Sequence, residues 1–198
     1  FNLHERQVSR ETSIQNAKSQ SLEYLREAAY QLETAMEQVE TCAKALSEQS
    51  TFLELVHQYQ QRPDDSILRS QITLLLGQSA WPCQNISGMY LITDSASEIL
   101  TSIPENKSLP VARGQGLLLL KFYQEQNQGQ ATWSMRPGVG LNGNEIIYWR
   151  PLYTAGGEPL GILACQMETS YFTEALSVLC NQEDTISAIT SYSGTVLY

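Results

Sequence analysis

Apolar residues recur through the first 60 residues with the alternating three- and four-residue spacing of a heptad repeat. The repeat runs without a break from Leu22 to Leu46, and we call its apolar positions the heptad seam. The seam consists of Leu22, Leu25, Ala29, Leu32, Met36, Val39, Ala43 and Leu46. No proline or glycine occurs in these 60 residues. The pattern therefore predicts one long helix from about residue 8 to residue 60.

A second, shorter helix is predicted directly after the first. The segment Arg62–Asp65 contains Pro63, which ends the long helix, and an aspartate that can cap the next one. Apolar residues with helical spacing then run from Ile67 to Leu76, and the helix is expected to end near Gly77.

From residue 86 onward the apolar period changes from 3.6 residues to two, which is typical of β-strands. The pattern predicts strands over 86–93, 97–102, 131–135, 144–154 and 158–168. Ala155-Gly156-Gly157 is typical of a hairpin turn between the last two strands, and short helices are predicted over 116–126 and 169–180. Together these elements predict an α+β fold, in which the long N-terminal helix packs on a five-stranded antiparallel sheet.

A weak internal repeat suggests that a second module begins near the end of the chain. The segments Leu91–Leu100 and Ala188–Leu197 share three of ten residues, and both read as a strand, a turn and a strand. We therefore divide the chain into a long helix (1–62), a first module (63–180) and the start of a second module (181–198).

Composition excludes two classes of function. The chain has 198 residues and a net charge of -9, with no cluster of Lys and Arg, so the cationic surface that nucleic acid requires is missing. No apolar run approaches the roughly 18 residues of a membrane span. Because 42% of the residues are apolar, the chain can bury a substantial core. The chain begins with Phe1 rather than Met, so we expect it to be a piece of a longer protein.

Residues that could bind metal or form disulfides are few and scattered. The cysteines are Cys42, Cys83, Cys165 and Cys180, and none forms a C-x-x-C pair. His4 and His57 lie far apart without a metal-binding spacing. We expect no metal and no cofactor, with the cysteines serving as small buried residues. One disulfide that includes Cys83 is the alternative if the domain is extracytoplasmic.

One glycine-rich motif has the form of a dinucleotide-binding loop but lacks its context. Gly138–Gly143 matches G-x-G-x-x-G, but Pro137 precedes it and a predicted strand follows it. Pyrophosphate binding needs a strand before the loop and a helix N-terminus after it. We therefore interpret the segment as a loop between strands, and we predict no catalytic residue in the chain.

Aromatic and cationic residues on the predicted strands give the best candidate for a binding site. The period of two places Tyr148 and Arg150 on one face of their strand, and Trp149 and Tyr153 on the other. Arg150 needs a partner within this apolar strand. Two interpretations stay open: a structural ion pair with a surface glutamate, or recognition of a polar or anionic small molecule. For the second, the predicted lining is Tyr90, Trp133, Tyr148 and Arg150, covered by residues 104–130.

The order of these elements resembles the extracytoplasmic double Cache (PAS-like) sensor domain of bacterial two-component histidine kinases, and within it the YesM-like kinases. The resemblance extends from the helix around Tyr24–Tyr30 to Tyr198. Its local anchors are the strand patterns Ile86–Thr93, Ala131–Met135, Ile146–Tyr153 and Pro159–Ala164. In such a domain, 63–180 would be the membrane-distal module and 181–198 the start of a truncated membrane-proximal module.

The resemblance implies a non-catalytic domain that binds a small molecule outside the cell membrane of a bacterium. The signal would pass by displacement of the long helix in a weak homodimer, and the parent chain would be anchored in the membrane. The dimer would use residues beside the seam: Tyr24, Ala28, Ala35, Cys42 and Ala45. Amino-acid-binding Cache domains carry an Arg-x-Trp-Tyr stretch, which nothing between Arg113 and Trp133 reproduces. This departure argues against an amino-acid ligand.

Two alternatives stay open for the function. The same module also serves as the ectodomain of methyl-accepting chemotaxis receptors. A helical adaptor that binds a protein partner through the heptad seam is the other alternative. The sequences that flank this segment in its gene would separate the three interpretations.

Overall fold

The computed structural model of the protein describes residues 2–93, 99–102, 130–137 and 144–168. Its elements in chain order are α1 (Asn2–Ser47), α2 (Ser50–Gln61), α3 (Ser66–Ala80), β1 (Ile86–Ile92), β2 (Leu100–Thr101), β3 (Thr132–Pro137), β4 (Asn144–Tyr153) and β5 (Pro159–Met167). None of the helices in these ranges combines the length and the apolar character that crossing a membrane requires. The predicted short helices, the segment 138–143, the second module and nearly all of the predicted cover lie outside the described residues.

The prediction of one continuous helix over 8–60 is wrong at one point, because the helix breaks between Ser47 and Ser50. Gln49 has an extended backbone, and its N–H donates to the carbonyl of Leu46 at 3.1 Å. The heptad seam explains the break. Continued past Leu46, the seam would turn Ser50, Leu53, His57 and Gln60 toward the core. The break instead buries three residues of α2, which are Phe52, Val56 and Tyr59.

The second predicted helix is confirmed as α3, together with its cap. Asp65 Oδ1 accepts hydrogen bonds from the backbone N–H groups of Ile67 and Leu68, at 3.0 and 3.2 Å. These bonds satisfy two of the donors that a helix N-terminus leaves unpaired. The apolar spacing of α3 then turns three residues toward the core, which are Leu68, Ile72 and Leu76.

The five strands form one antiparallel sheet, as the strand pattern predicted, and their order in the sheet is β2-β1-β5-β4-β3. The predicted hairpin turn joins β4 to β5: Thr154 and Glu158 are bonded across it, and Gly157 has a φ of 83°. Gly161 has a φ of 136°, and a Cβ there would lie 2.4 Å from the carbonyl oxygen of Ile92. A glycine at this position therefore lets the start of β5 lie close to the end of β1.

The two faces of the sheet have different neighbours. The helix face packs against the three helices, and its buried strand residues include Met89, Leu91, Ile146, Tyr148, Leu152, Leu163, Cys165 and Met167. We call the opposite side the second face. Its buried cluster consists of Ile92, Ile147, Trp149, Ile162 and Ala164, with Tyr90 and Ile99 packed against it. A long helix against a five-stranded antiparallel sheet is the α+β fold that the sequence predicts.

Only the C-terminal half of the heptad seam reaches the sheet. Leu46 is 2% exposed, whereas Leu22 is 54% exposed and Leu25 is 48% exposed. The 46 residues of α1 span about 69 Å, whereas the ten residues of β4 span about 34 Å, so the helix extends past the sheet. We call residues 8–31 the projecting segment. Of the residues expected at a dimer contact, Ala35 is buried in the core and Cys42 packs against it, which corrects that part of the prediction.

Candidate ligand-binding site

Trp133 and Tyr148, two of the predicted lining residues, lie together on the helix face. They are partners across β3 and β4, and their ring centroids are 5.1 Å apart. The indole Nε1–H of Trp133 donates to Glu40 Oε1 of α1 at 2.7 Å. Through Trp133, this aromatic pair therefore fixes the C-terminal part of α1 to the sheet.

Arg150 lies on the same face and contacts α1 where that helix ends. Its Nε–H donates to Ser47 Oγ at 2.6 Å, and its Nη2 lies 3.4 Å from Glu48 Oε1. Ser47 Oγ–H in turn donates to the carbonyl of Lys44, so the guanidinium reaches the last turn of the helix. The pair with Glu48 is the structural ion pair of the first interpretation. Recognition of a ligand by Arg150 stays a prediction.

Tyr90 lies on the second face, away from the other three predicted residues. Its hydroxyl donates to Gln166 Oε1 at 2.7 Å, between β1 and the adjacent β5. The structure therefore gathers three predicted residues beside α1 and places the fourth on the opposite side of the sheet.

The second face has the composition of a ligand pocket floor. Trp149 is fully buried there among the branched residues Ile147 and Ile162, and its indole N–H donates to Ser134 Oγ. Ligand pockets are lined mainly by apolar and aromatic side chains, with a few polar groups that fix orientation. Ser134 and the Tyr90–Gln166 pair supply such groups.

Sequence reasoning named Trp149 only as the alternative that a one-residue slip of the strand would bring into the site, and it did not name Gln166 or Ser134. The period of two separates Trp149 from Tyr148 and Arg150 correctly. What the pattern does not say is which side the helices occupy. If the strand shifts its register by one residue, Tyr148 and Arg150 exchange faces with Trp149 and Tyr153.

A separate cavity of about 430 Å³ opens between α1 and the loop that joins α3 to β1. Its lining is uncharged and consists of Tyr30, Gln31, Thr34, Ala35, Gln38, Pro82, Gln84 and Asn85. Asn85 Nδ2–H donates to Gln38 Oε1 at 2.6 Å, whereas Asn85 Oδ1 is buried without a hydrogen-bond partner. None of the four predicted lining residues lies here. In the described part of the chain, no group of three or more His, Cys, Asp and Glu side chains could hold a metal ion.

Comparison with known proteins gives matches in structure only. The sequence matches no protein-family model and no curated protein. The structure is similar to the sensor domain of the Vibrio cholerae histidine kinase DctB, with a TM-score of 0.64 and 15% identity. That match covers 82% of this chain and 60% of the DctB chain, so this chain spans less than two thirds of its relative.

Two further solved structures have the same arrangement. One is the ligand-binding domain of the Pseudomonas aeruginosa PAO1 amino acid chemoreceptor PctC in complex with GABA. It matches with a TM-score of 0.54 and 19% identity, over 94% of this chain and 74% of that one. The other is an extracellular ligand-binding receptor from Desulfohalobium retbaense DSM5692. Its TM-score is 0.55 at 16% identity, over 78% of this chain and 26% of that one.

These likenesses establish the fold and leave the narrower group open. Identities between 15% and 19% are too low to carry a ligand or an output from one protein to another. The YesM-like group therefore stays a prediction. What the comparisons do show is that the described residues form the Cache-like (PAS-like) fold found in sensor domains of histidine kinases and chemoreceptors.

Proposed function

We propose that this chain is the ligand-sensing part of an extracytoplasmic receptor whose output is a two-component histidine kinase. The observation that carries the proposal is the difference between the two faces of the sheet. Helices fill the helix face, whereas the second face is a buried aromatic and aliphatic floor with polar groups beside it. The likeness to the DctB sensor domain and to an extracellular receptor supports the same role.

The ligand site that fits this role is the second face. It keeps Tyr90 from the sequence prediction and adds Trp149 and Gln166. The described residues in the buried cluster of the second face are uncharged, which favours a neutral small molecule over an anion as the ligand. Such a molecule would contact the Trp149 region with its apolar part and exchange hydrogen bonds with the Tyr90 hydroxyl and the Gln166 amide.

Strand β4 connects this site to the long helix. Trp149 faces the site, and its two neighbours along the strand, Tyr148 and Arg150, face α1. A ligand that shifts β4 would act on α1 at two points, through the Trp133–Glu40 bond and through the Arg150 contacts with the helix end. Trp133, Tyr148 and Arg150, which are three of the four predicted lining residues, would then transmit the ligand signal to α1.

The projecting segment is the part of the chain that would form the homodimer. Leu22 and Leu25 lie one turn apart on it, and both are exposed. Two parallel copies could bury this part of the heptad seam, and the membrane anchors of the parent chain would strengthen the weak contact. Sedimentation at rising concentration should show association that Leu25→Glu abolishes. A strictly monomeric domain at millimolar concentration would remove the dimer from the proposal.

A chemoreceptor is the second candidate for the parent protein, and the likeness to the PctC domain supports it. Both outputs use the same kind of sensor, so the ligand site does not separate them. Sequencing the gene on either side of this segment does. Histidine kinase motifs would support the first candidate, and a methyl-accepting coiled coil would support the second.

The ligand site can be tested by a thermal-shift screen of neutral amides, sugars, organic acids and amines. A compound that binds the folded domain raises its melting temperature by mass action. We expect Gln166→Ala to abolish the shift, and the matched variant Gln61→Ala, at an exposed position of α2, to keep it. A shift that survives Gln166→Ala would place the ligand elsewhere. A screen without any stabiliser would contradict direct sensing by this part of the chain.

A further inference from the structure

Three cysteines that are far apart in the sequence meet in the core of the domain. Cys42 lies on α1, Cys83 lies in the loop before β1, and Cys165 lies on β5. All three belong to or pack against the helix-face cluster, and all three are free thiols. Cys83 and Cys165 are buried, whereas Cys42 is partly exposed.

Hydrogen bonds hold the loop that contains Cys83 against α1, close to Cys42. Asn85 Nδ2–H donates to Gln38 Oε1 at 2.6 Å, which ties the loop to α1. Cys42 lies four residues after Gln38, on the same side of the helix, and Cys83 lies two residues before Asn85. The loop is held by hydrogen bonds from Cys83 N–H to the carbonyl of Ala80 and from Ile86 N–H to the carbonyl of Cys83, both at 3.1 Å.

Both thiols lie in or against the helix-face cluster, near enough for Cys83 to raise the pKa of Cys42. Burial, together with smaller effects of the neighbouring Cys83, raises the pKa of Cys42 to about 11. Burial also raises the pKa of Cys165 far above its usual value, and that group is affected by the charges of the other two. Thiolates are therefore scarce at neutral pH, and these cysteines should react slowly, with a rate that increases with pH.

We infer that Cys42 and Cys83 form a disulfide bond that joins α1 to the loop between α3 and β1. The oxidant is a disulfide of a small thiol or of a thiol–disulfide oxidoreductase. The thiolate of Cys42, the more exposed of the two, attacks one sulfur of this donor and releases the first donor thiol. The thiolate of Cys83 then attacks Cys42 in the mixed disulfide and releases the second. The two cysteines lose two protons and two electrons, and the donor is reduced to two thiols.

The bridge would close a loop that includes the end of α1, all of α2 and all of α3. Restricting so long a loop in the unfolded chain should raise the melting temperature by roughly 5–15 °C. It would also fix α1 to the body of the domain beside the uncharged cavity. Its occurrence in the cell rests on the extracytoplasmic location proposed above, because such bonds persist in oxidising compartments. The chemistry between the two thiols does not depend on that location.

The experiment uses this chain with Cys180→Ser, which removes the cysteine outside the described residues. The folded protein is incubated with oxidised glutathione at about pH 8.5, where more thiolate is present. After the free thiols have been alkylated, a tryptic digest is analysed by mass spectrometry without reduction. Trypsin separates the two cysteines because it cuts after Lys44 and Arg69.

The expected result is a crosslinked peptide pair that contains Cys42 and Cys83, a mass lower by two hydrogens and the predicted rise in melting temperature. Cys42→Ala should abolish all three effects, and the control Cys165→Ala should keep them. A bridge that includes Cys165, or full alkylation of Cys42 and Cys83 after prolonged oxidation, would overturn the inference. Either result would leave the ligand site untouched, since the thermal-shift screen tests that proposal independently.

Discussion

The two faces of the sheet are built from the same strands, but their side chains have different partners. On the helix face, apolar strand residues interlock with α1, α2 and α3, and the polar atoms of Trp133 and Arg150 are directed at α1. On the second face, the polar atoms of Tyr90 and Trp149 pair within the sheet. If the ligand binds as proposed, β4 carries the floor of the site on one side and the residues that contact α1 on the other.

The largest effect should come from the core of the helix face. Leu46→Ala removes a side chain that is almost completely buried at the end of α1, and it should lower the free energy of unfolding by about 2–5 kcal/mol. Its matched control is Leu22→Ala on the same heptad seam, where the leucine is exposed and the cost should stay below about 0.5 kcal/mol. Denaturant unfolding of both variants measures the difference. Equal costs would mean that α1 packs on the sheet in a different register.

The contrast between these two leucines also marks what the sequence could predict. The heptad spacing predicts the helix and its apolar side, and the period of two predicts every described strand to within a few residues. The aspartate at position 65 predicts the cap of α3. These features depend on local spacing and local chemistry, which a single sequence carries.

What the sequence could not predict depends on which elements meet in space. The break before Ser50 has no proline or glycine to mark it, and it follows from the competing apolar spacing of Phe52 and Val56. The alternation along β4 was correct, but nothing in it says that the helices cover Tyr148 rather than Trp149. The meeting of Cys42 with Cys83 likewise depends on how the loop before β1 packs on α1.

An intermediate effect should follow from loosening the contact between β4 and the end of α1. Arg150→Ala removes the hydrogen bond to Ser47 and the pair with Glu48, and it should cost about 1.5–3 kcal/mol. Glu48→Ala is the control, because Glu48 is largely exposed and its loss should cost less than about 1 kcal/mol. A stabilising ligand should keep its thermal shift in Arg150→Ala. Loss of that shift would restore the interpretation that Arg150 binds the ligand.

The smallest effect on stability is expected on the second face. Tyr90→Phe removes one hydroxyl and its hydrogen bond to Gln166, and it should cost about 0.5–1.5 kcal/mol. Tyr24→Phe, at an exposed position of α1, should change stability very little. Thermal unfolding of the two variants tests this. A cost of several kcal/mol for Tyr90→Phe would show that its hydroxyl belongs to the structural core rather than to a binding surface.

The most direct test of whether the ligand binds the second face compares two neighbouring residues on β4. Trp149→Phe and Tyr148→Phe each keep an aromatic ring, but the first changes the second face and the second changes the helix face. For any stabiliser found in the screen, we measure the shift in melting temperature in both variants and in the unchanged chain. We expect Trp149→Phe to reduce the apparent affinity at least tenfold, or about 1.4 kcal/mol, and Tyr148→Phe to leave it unchanged. The reverse result would rule out the second face as the ligand site, because it would place the ligand on the helix face.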